Sequence, residues 1–152
     1  MTSVNTAYLK SPSLKGEQIV FITDDDLWSV NKLGGTAKRL TNSHGLCKDP
    51  FISPDGKQIA YLSNESGQND IYLIPLEGGV PTRLTYKGIV RLTGWKDNNT
   101  LSFATNSDAF SPRVTLLYEI NVKTKKETAL NLGHATYLTY EGKKRVLGRN
   151  IG

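Results

Sequence analysis

Three stretches of this 152-residue chain carry side chains capable of chemistry. Asp24-Asp25-Asp26 offers three carboxylates, Ser43-His44 sets a hydroxyl beside an imidazole, and Cys47 is the lone thiol. His134 is the other histidine. A carboxylate run could hold a cation, but a calcium loop spaces its oxygens along the chain and adds a distant Glu. Consecutive residues on a strand also point to opposite faces. Just before Leu27-Trp28, the run reads as a hairpin turn, where Asp is favoured. A serine nucleophile needs a base within hydrogen-bond reach and an acid to orient that base. No G-x-S-x-G elbow surrounds Ser43. His44 and His134 both fall between the repeats described below and read as loop or core histidines. Cys47 sits between Leu46 and Lys48 with no resolving thiol or base nearby, so it reads as structural. A single cysteine forms no internal disulfide and no cysteine metal site. The expectation is therefore no catalytic, cofactor-binding or metal-binding residue, and no cofactor.

The elements that would position these groups are β-strands. Ile19 and Phe21 alternate with Val20 and Ile22, and Ile59 and Tyr61 alternate with Ala60 and Leu62. Such short runs, apolar on both parities, are expected of strands covered on both faces. Gly turns at Lys15-Gly16 and Asp55-Gly56 precede them. Apolar spacing of the helical kind is absent.

The chain also repeats itself. Gly16 to Phe21, Asp26-Leu27-Trp28 and Arg39-Leu40-Thr41 return as Gly56 to Tyr61, Asp70-Ile71-Tyr72 and Arg83-Leu84-Thr85. The offset is 40 residues at the start and 44 at the end, the extra four falling in the 63–69 hairpin. A looser copy runs from Gly94-Trp95 through Leu101-Ser102-Phe103 and Leu117-Tyr118 to Leu130, and another begins at Tyr137. A period near 40–46 residues with four short strands per unit is the signature of a propeller blade. The fold class expected is all-β, a partial β-propeller of about three and a half four-stranded blades. The repeats cover approximately 8–43, 44–87, 88–132 and 133–152. Trp28, Tyr72 and Tyr118 recur at one blade position and should pack between blades.

Composition fits a folded chain: 38% hydrophobic residues and a mean hydropathy of -0.37. No apolar run approaches the roughly 18 residues of a spanning helix, so no membrane partner is expected. The net charge is +5. Lys10, Lys15, Lys38, Arg39, Lys57, Lys87 and Lys96 are scattered, whereas Lys123, Lys125 and Lys126 cluster, as do Lys143, Lys144 and Arg145. No basic groove with interleaved aromatics emerges, so nucleic acid is not an expected partner. The first twenty residues lack the basic start and apolar run of a secretion signal, and a cytoplasmic location is expected. Asn64-Glu65-Ser66 and Asn98-Asn99-Thr100 then mark exposed turns rather than glycosylation sites.

The run Ser53-Pro54-Asp55-Gly56-Lys57-Gln58-Ile59-Ala60-Tyr61, followed by Asp70-Ile71-Tyr72 and Arg83-Leu84-Thr85, resembles the TolB-type propeller repeat. That repeat also occurs in prolyl-oligopeptidase-like enzymes and tricorn proteases and specifies fold more than function. Two stretches narrow the resemblance. Gly16 to Thr41 is similar to the start of the tricorn protease family, and Leu130-Asn131-Leu132-Gly133-His134 with Gly142 to Asn150 is similar to the same region of its first, six-bladed propeller. The resemblance implies a large cytosolic serine peptidase with two propellers, a PDZ domain and a catalytic domain, assembled as hexamers and trimming oligopeptides downstream of the proteasome. In that setting this segment would form a peptide channel. Its partners would be the rest of the parent peptidase and oligopeptides, in a homo-oligomer. The family's catalytic groups lie far beyond residue 152 and none carries over. The family also places an arginine pair before its third blade to anchor a peptide carboxylate. Here Tyr86-Lys87-Gly88-Ile89-Val90-Arg91 has no such pair, and its cations are Lys87 and Arg91.

Six blades would need about 260 residues, so this chain is expected to be part of a longer protein or to hide its open edges by self-association. The alternatives to the peptidase reading are a TolB-like scaffold for protein–protein interaction and the lid propeller of a prolyl-oligopeptidase-like hydrolase.

Overall fold

A computed structural model describes residues 10–133, 135, 137–141 and 144–148. Among them there are fourteen strands and no helix. Blade 1 comprises β1 (Lys10–Lys15), β2 (Gln18–Thr23), β3 (Asp26–Asn31) and β4 (Lys38–Arg39); blade 2 comprises β5 (Cys47–Ile52), β6 (Gln58–Ser63), β7 (Asp70–Pro75) and β8 (Thr82–Arg83). Blade 3 comprises β9 (Arg91–Asp97), β10 (Thr100–Thr105), β11 (Leu116–Asn121) and β12 (Glu127–Ala129). β13 (Tyr137–Glu141) and β14 (Lys144–Gly148) form a two-stranded sheet that begins a fourth blade. In each four-stranded sheet the strands pair antiparallel in sequence order, a meander.

Hairpin chemistry follows the turn residues. Asp24 and Asp25 both adopt left-handed backbone, with φ of 49° and 65°, which closes β2–β3 in two residues. Mirror-image turns of this kind match the twist of the strands they join, and Asp tolerates the conformation better than most residues. The corresponding connection in blade 2 is the 64–69 segment, longer by the four residues that shift the repeat.

Side-chain parity builds the core. Along β6, Ile59 and Tyr61 enter a cluster with Val20, Ile22 and Leu27 of blade 1. Ala60 and Leu62 point the other way, to Leu92, Leu101 and Phe103 of blade 3. In blade 3, Ala104 and Leu117 in turn meet Leu138 of β13. β6 therefore serves two interfaces, which explains why its run is apolar throughout.

The first strands converge. β1 lies against β5, β5 against β9, and β9 against β13. This side-by-side order is that of the innermost strands around a propeller's axis.

Candidate functional site

The inner strands shape a groove lined by Lys15, Phe51, Thr93, Gly94, Trp95 and Tyr140. Blades 2 and 3 are joined there: the Trp95 indole Nε1–H donates to the Phe51 carbonyl at 2.9 Å. Gly94 has φ of 133°, a backbone conformation that L side chains rarely adopt, whereas a Cβ there would meet the Phe51 ring at an ordinary 3.6 Å, so conformation rather than space calls for glycine. Tyr140 Oη donates to Glu119 Oε1 at 2.6 Å, tying β13 to blade 3. Lys96 Nζ sits 3.3 Å from Glu119 Oε2 and 6.0 Å from the Tyr140 ring centre. Aromatic faces, backbone and one lysine can hold and guide an extended chain; these wall residues include no nucleophile with a base beside it.

A second arrangement fixes the outer strands. In blade 2, Asp70 is fully buried. Its Oδ2 pairs with Arg83 Nη2 at 2.7 Å, and its Oδ1 accepts from Thr85 Oγ1 at 2.8 Å and from the Lys87 backbone N–H at 3.1 Å. Thr85 Oγ1 accepts the Ile71 N–H at 2.9 Å. Blade 1 repeats the clasp: Asp26 pairs with Arg39 and accepts from Thr41 Oγ1 at 2.8 Å, while Thr41 Oγ1 accepts the Leu27 N–H at 2.9 Å. Short outer strands make few ladder bonds, so a buried carboxylate at the start of the third strand that gathers donors from the fourth strand and the segment after it holds them together. The Asp70 hydrogen bond, with burial opposing it, raises the Arg83 guanidinium further above its ordinary value.

Blade 3 lacks this clasp, because Leu116, Ala129 and Asn131 occupy the corresponding places. Lys87, leaving blade 2, reaches across instead. Its Nζ lies 2.7 Å from Asp108 Oδ2, 2.8 Å from Glu127 Oε2 and 4.5 Å from the Tyr118 ring centre. Burial works against the Lys87 charge, but the two carboxylates outweigh it and hold the ammonium above its usual range. Lys87 is thus committed within the protein, and Arg91 is half-buried at the start of β9.

Of the other residues singled out by their chemistry, Asp25, Asp26, Ser43 and Cys47 gather at the seam of blades 1 and 2: the Cys47 N–H donates to the Asp25 carbonyl at 2.9 Å, and the Thr41 and Ser43 hydroxyls sit beside its thiol. Asp24 and Asp25 are turn residues as expected, but Asp26 differs: it opens β3, is buried and anchors the clasp. The signal for this was present, since Asp26 and Asp70 recur with Arg39-Leu40-Thr41 and Arg83-Leu84-Thr85. Ser43 donates to the Gly45 carbonyl at 3.5 Å, and His44 is exposed in the connection between blades 1 and 2. His134 lies outside the described residues. Cys47 is buried at the seam of blades 1 and 2, with Sγ 3.8 Å from Thr41 Oγ1, and burial pushes its thiol pKa up. Tyr72 stacks on Tyr61 at 5.8 Å and Tyr118 on Phe103 at 5.7 Å, while Trp28 pairs with Phe21 across the β2–β3 ladder.

Consecutive four-stranded meanders with their first strands lining a common wall define part of a β-propeller. The chain belongs to the tricorn protease N-terminal β-propeller family, whose model matches residues 6–151. It is 36% identical over 106 residues to tricorn protease homolog 1 of Streptomyces coelicolor, covering 68% of this chain and 10% of that protein. A chain named as a tricorn-like protease N-terminal subunit in Sulfurisphaera tokodaii is 28% identical over 158 residues, covering 97% of this chain and 80% of that one. The crystal structure of the tricorn protease superposes with a TM-score of 0.78 at 25% identity, over 92% of this chain and 15% of that chain. The sequence thus spans a small part of the full-length peptidases it resembles and most of the length of one separate subunit.

Proposed function

We propose that this chain builds the amino-terminal part of the channel wall in a tricorn-type serine peptidase, guiding oligopeptides toward or away from an active site carried by other parts of the assembly. The side-by-side packing of β1, β5, β9 and β13 carries this reading, because it gives Phe51, Trp95 and Tyr140 one common groove. The subunit relative in Sulfurisphaera tokodaii supports it, since a chain of comparable extent is there named as a subunit of a tricorn-like protease. On the same reading the protein works in the cytoplasm, within a homo-oligomer, downstream of the proteasome.

The test is photo-crosslinking with an oligopeptide bearing a benzophenone. Labelling should concentrate on β5, β9 and β13 and fall when Trp95 is replaced by Ala. Labelling confined to the outer strands would sink the channel reading. The chain alone should release no product from fluorogenic peptides. Turnover abolished by substituting Ser43 or His44 would overturn that expectation.

A further inference from the structure

The two ends of the blades differ in how their charges are used. At the end formed by the β2–β3, β6–β7 and β10–β11 hairpins and the interblade connections, cations meet carboxylates: Arg39 with Asp26, Arg83 with Asp70, and Lys87 with Asp108 and Glu127. The opposite end carries the turns joining first to second and third to fourth strands. There Lys15, Lys32, Lys57, Lys123, Lys125 and Lys126 are all exposed, and none enters an ion pair among the described residues. Two acids at this end serve their own turns. Asp55 accepts from the Ser53 hydroxyl at 2.6 Å, and Asp97 accepts the Asn99 N–H at 2.8 Å. With Glu17 and Glu77 they make four carboxylates against the six lysines, so the end keeps an excess of positive charge.

At this basic end a groove runs between blades 2 and 3. Its apolar surface comes from Leu73, Pro75, Val80, Leu84 and Val122, with Lys57 and Asp55 also lining it. Val80 is 87% exposed, an aliphatic side chain held in water beside other apolar groups. Val122 leads directly into Lys123-Thr124-Lys125-Lys126, exposed residues next in sequence to the groove's blade 3 side, of which Lys126 lies along a separate depression beside Glu119. The lining has no aromatic ring on which a base could stack, which favours a peptide over a nucleic acid.

We propose that this groove docks an acidic, leucine-bearing extended segment of a partner protein. Its apolar side chains would cover Val80 and Val122, and its carboxylates would meet Lys57 and the 123–126 turn. Charge complementarity of this kind speeds encounter and fixes orientation, while the apolar contact supplies the affinity. The proposal is independent of the channel reading, since the groove lies outside the inner strands.

The probe is a short fluorescein-labelled peptide of Glu and Ser carrying two leucines, titrated with the full chain and read by anisotropy. Binding should weaken by about tenfold in Val80→Glu and again in the Lys123→Glu/Lys125→Glu/Lys126→Glu variant, the scale of losing a central contact. It should also weaken as salt is raised. Both sites are exposed, and circular dichroism is the check that each variant folds; Lys57→Glu is a further rim variant that should weaken binding. Equal binding of a peptide with serines in place of the leucines overturns the proposal, as does unchanged binding in Val80→Glu. Tighter binding of duplex DNA or of phosphatidylserine vesicles than of the peptide overturns it as well.

Discussion

Asp70 Oδ1 accepts the Thr85 hydroxyl at 2.8 Å, and through this one contact the third strand of blade 2 holds the residue that follows its outer strand. Thr85 passes the constraint on by accepting the Ile71 N–H. Removing the carboxylate takes the acceptor from Arg83 Nη2, the Thr85 hydroxyl and the Lys87 N–H at once, leaving Arg83 only its Nε bond to the Thr85 carbonyl. Asp70→Ala should cost about 3–5 kcal/mol, the range for breaking a buried charge pair. Asp26→Ala should cost about 2 kcal/mol, because Arg39 is half exposed and can turn to water. Urea denaturation of both variants checks the ordering, and equal losses would refute it.

Lys87→Met should loosen blade 3 without touching blade 1. The substitution keeps an apolar stem over Tyr118 and removes the bonds to Asp108 and Glu127. A loss of about 1 kcal/mol is expected for a partly exposed network. Hydrogen exchange at Ala129 and Leu130 should then rise about fivefold, with Leu40 unchanged. Uniform acceleration in all blades would count against a local pin.

The same contact predicts an acid response. The Lys87 hydrogen bond holds the Asp108 carboxyl below its usual value. A depressed acid stabilises the folded state above its unfolded pKa, about 3.9, and that contribution disappears as pH falls through the lowered folded value. Carboxyl-carbon NMR should therefore place the Asp108 midpoint below that of an unpaired aspartate. In Lys87→Met the midpoint should return toward the ordinary value; a midpoint that stays put removes Lys87 as the cause.

Gly45 should tolerate no side chain. A Cβ there would lie 2.5 Å from the Glu65 nitrogen and 2.7 Å from its Cα, both backbone atoms. Gly45→Ala should destabilise by about 2 kcal/mol, as overpacking does, and should perturb the 64–69 hairpin in NMR spectra. A neutral effect would mean that the connection between blades 1 and 2 yields.

The repeat made the blades legible because strand parity and turn glycines are local: Gly16, Gly56 and the alternating runs at 19–22 and 59–62 mark the strands with no knowledge of what they pack on. The clasp was half legible. Asp26 looks like the last of three turn aspartates until its partners thirteen and fifteen residues away are known. The Lys87 contacts could not be read at all, since Asp108 and Glu127 lie 21 and 40 residues distant and occur in the loosest copy of the repeat. The same holds for the groove at Val80, which exists only because Val122 of the next blade comes beside it.

The alternation along β6 has a consequence for how such a molecule can change. Because Ile59 and Tyr61 answer to one neighbour and Ala60 and Leu62 to the other, each interface has its own alphabet, written on every second letter of the same word. A drift in one set retunes a single joint and leaves the next joint's text intact, provided the volumes on its own side still match.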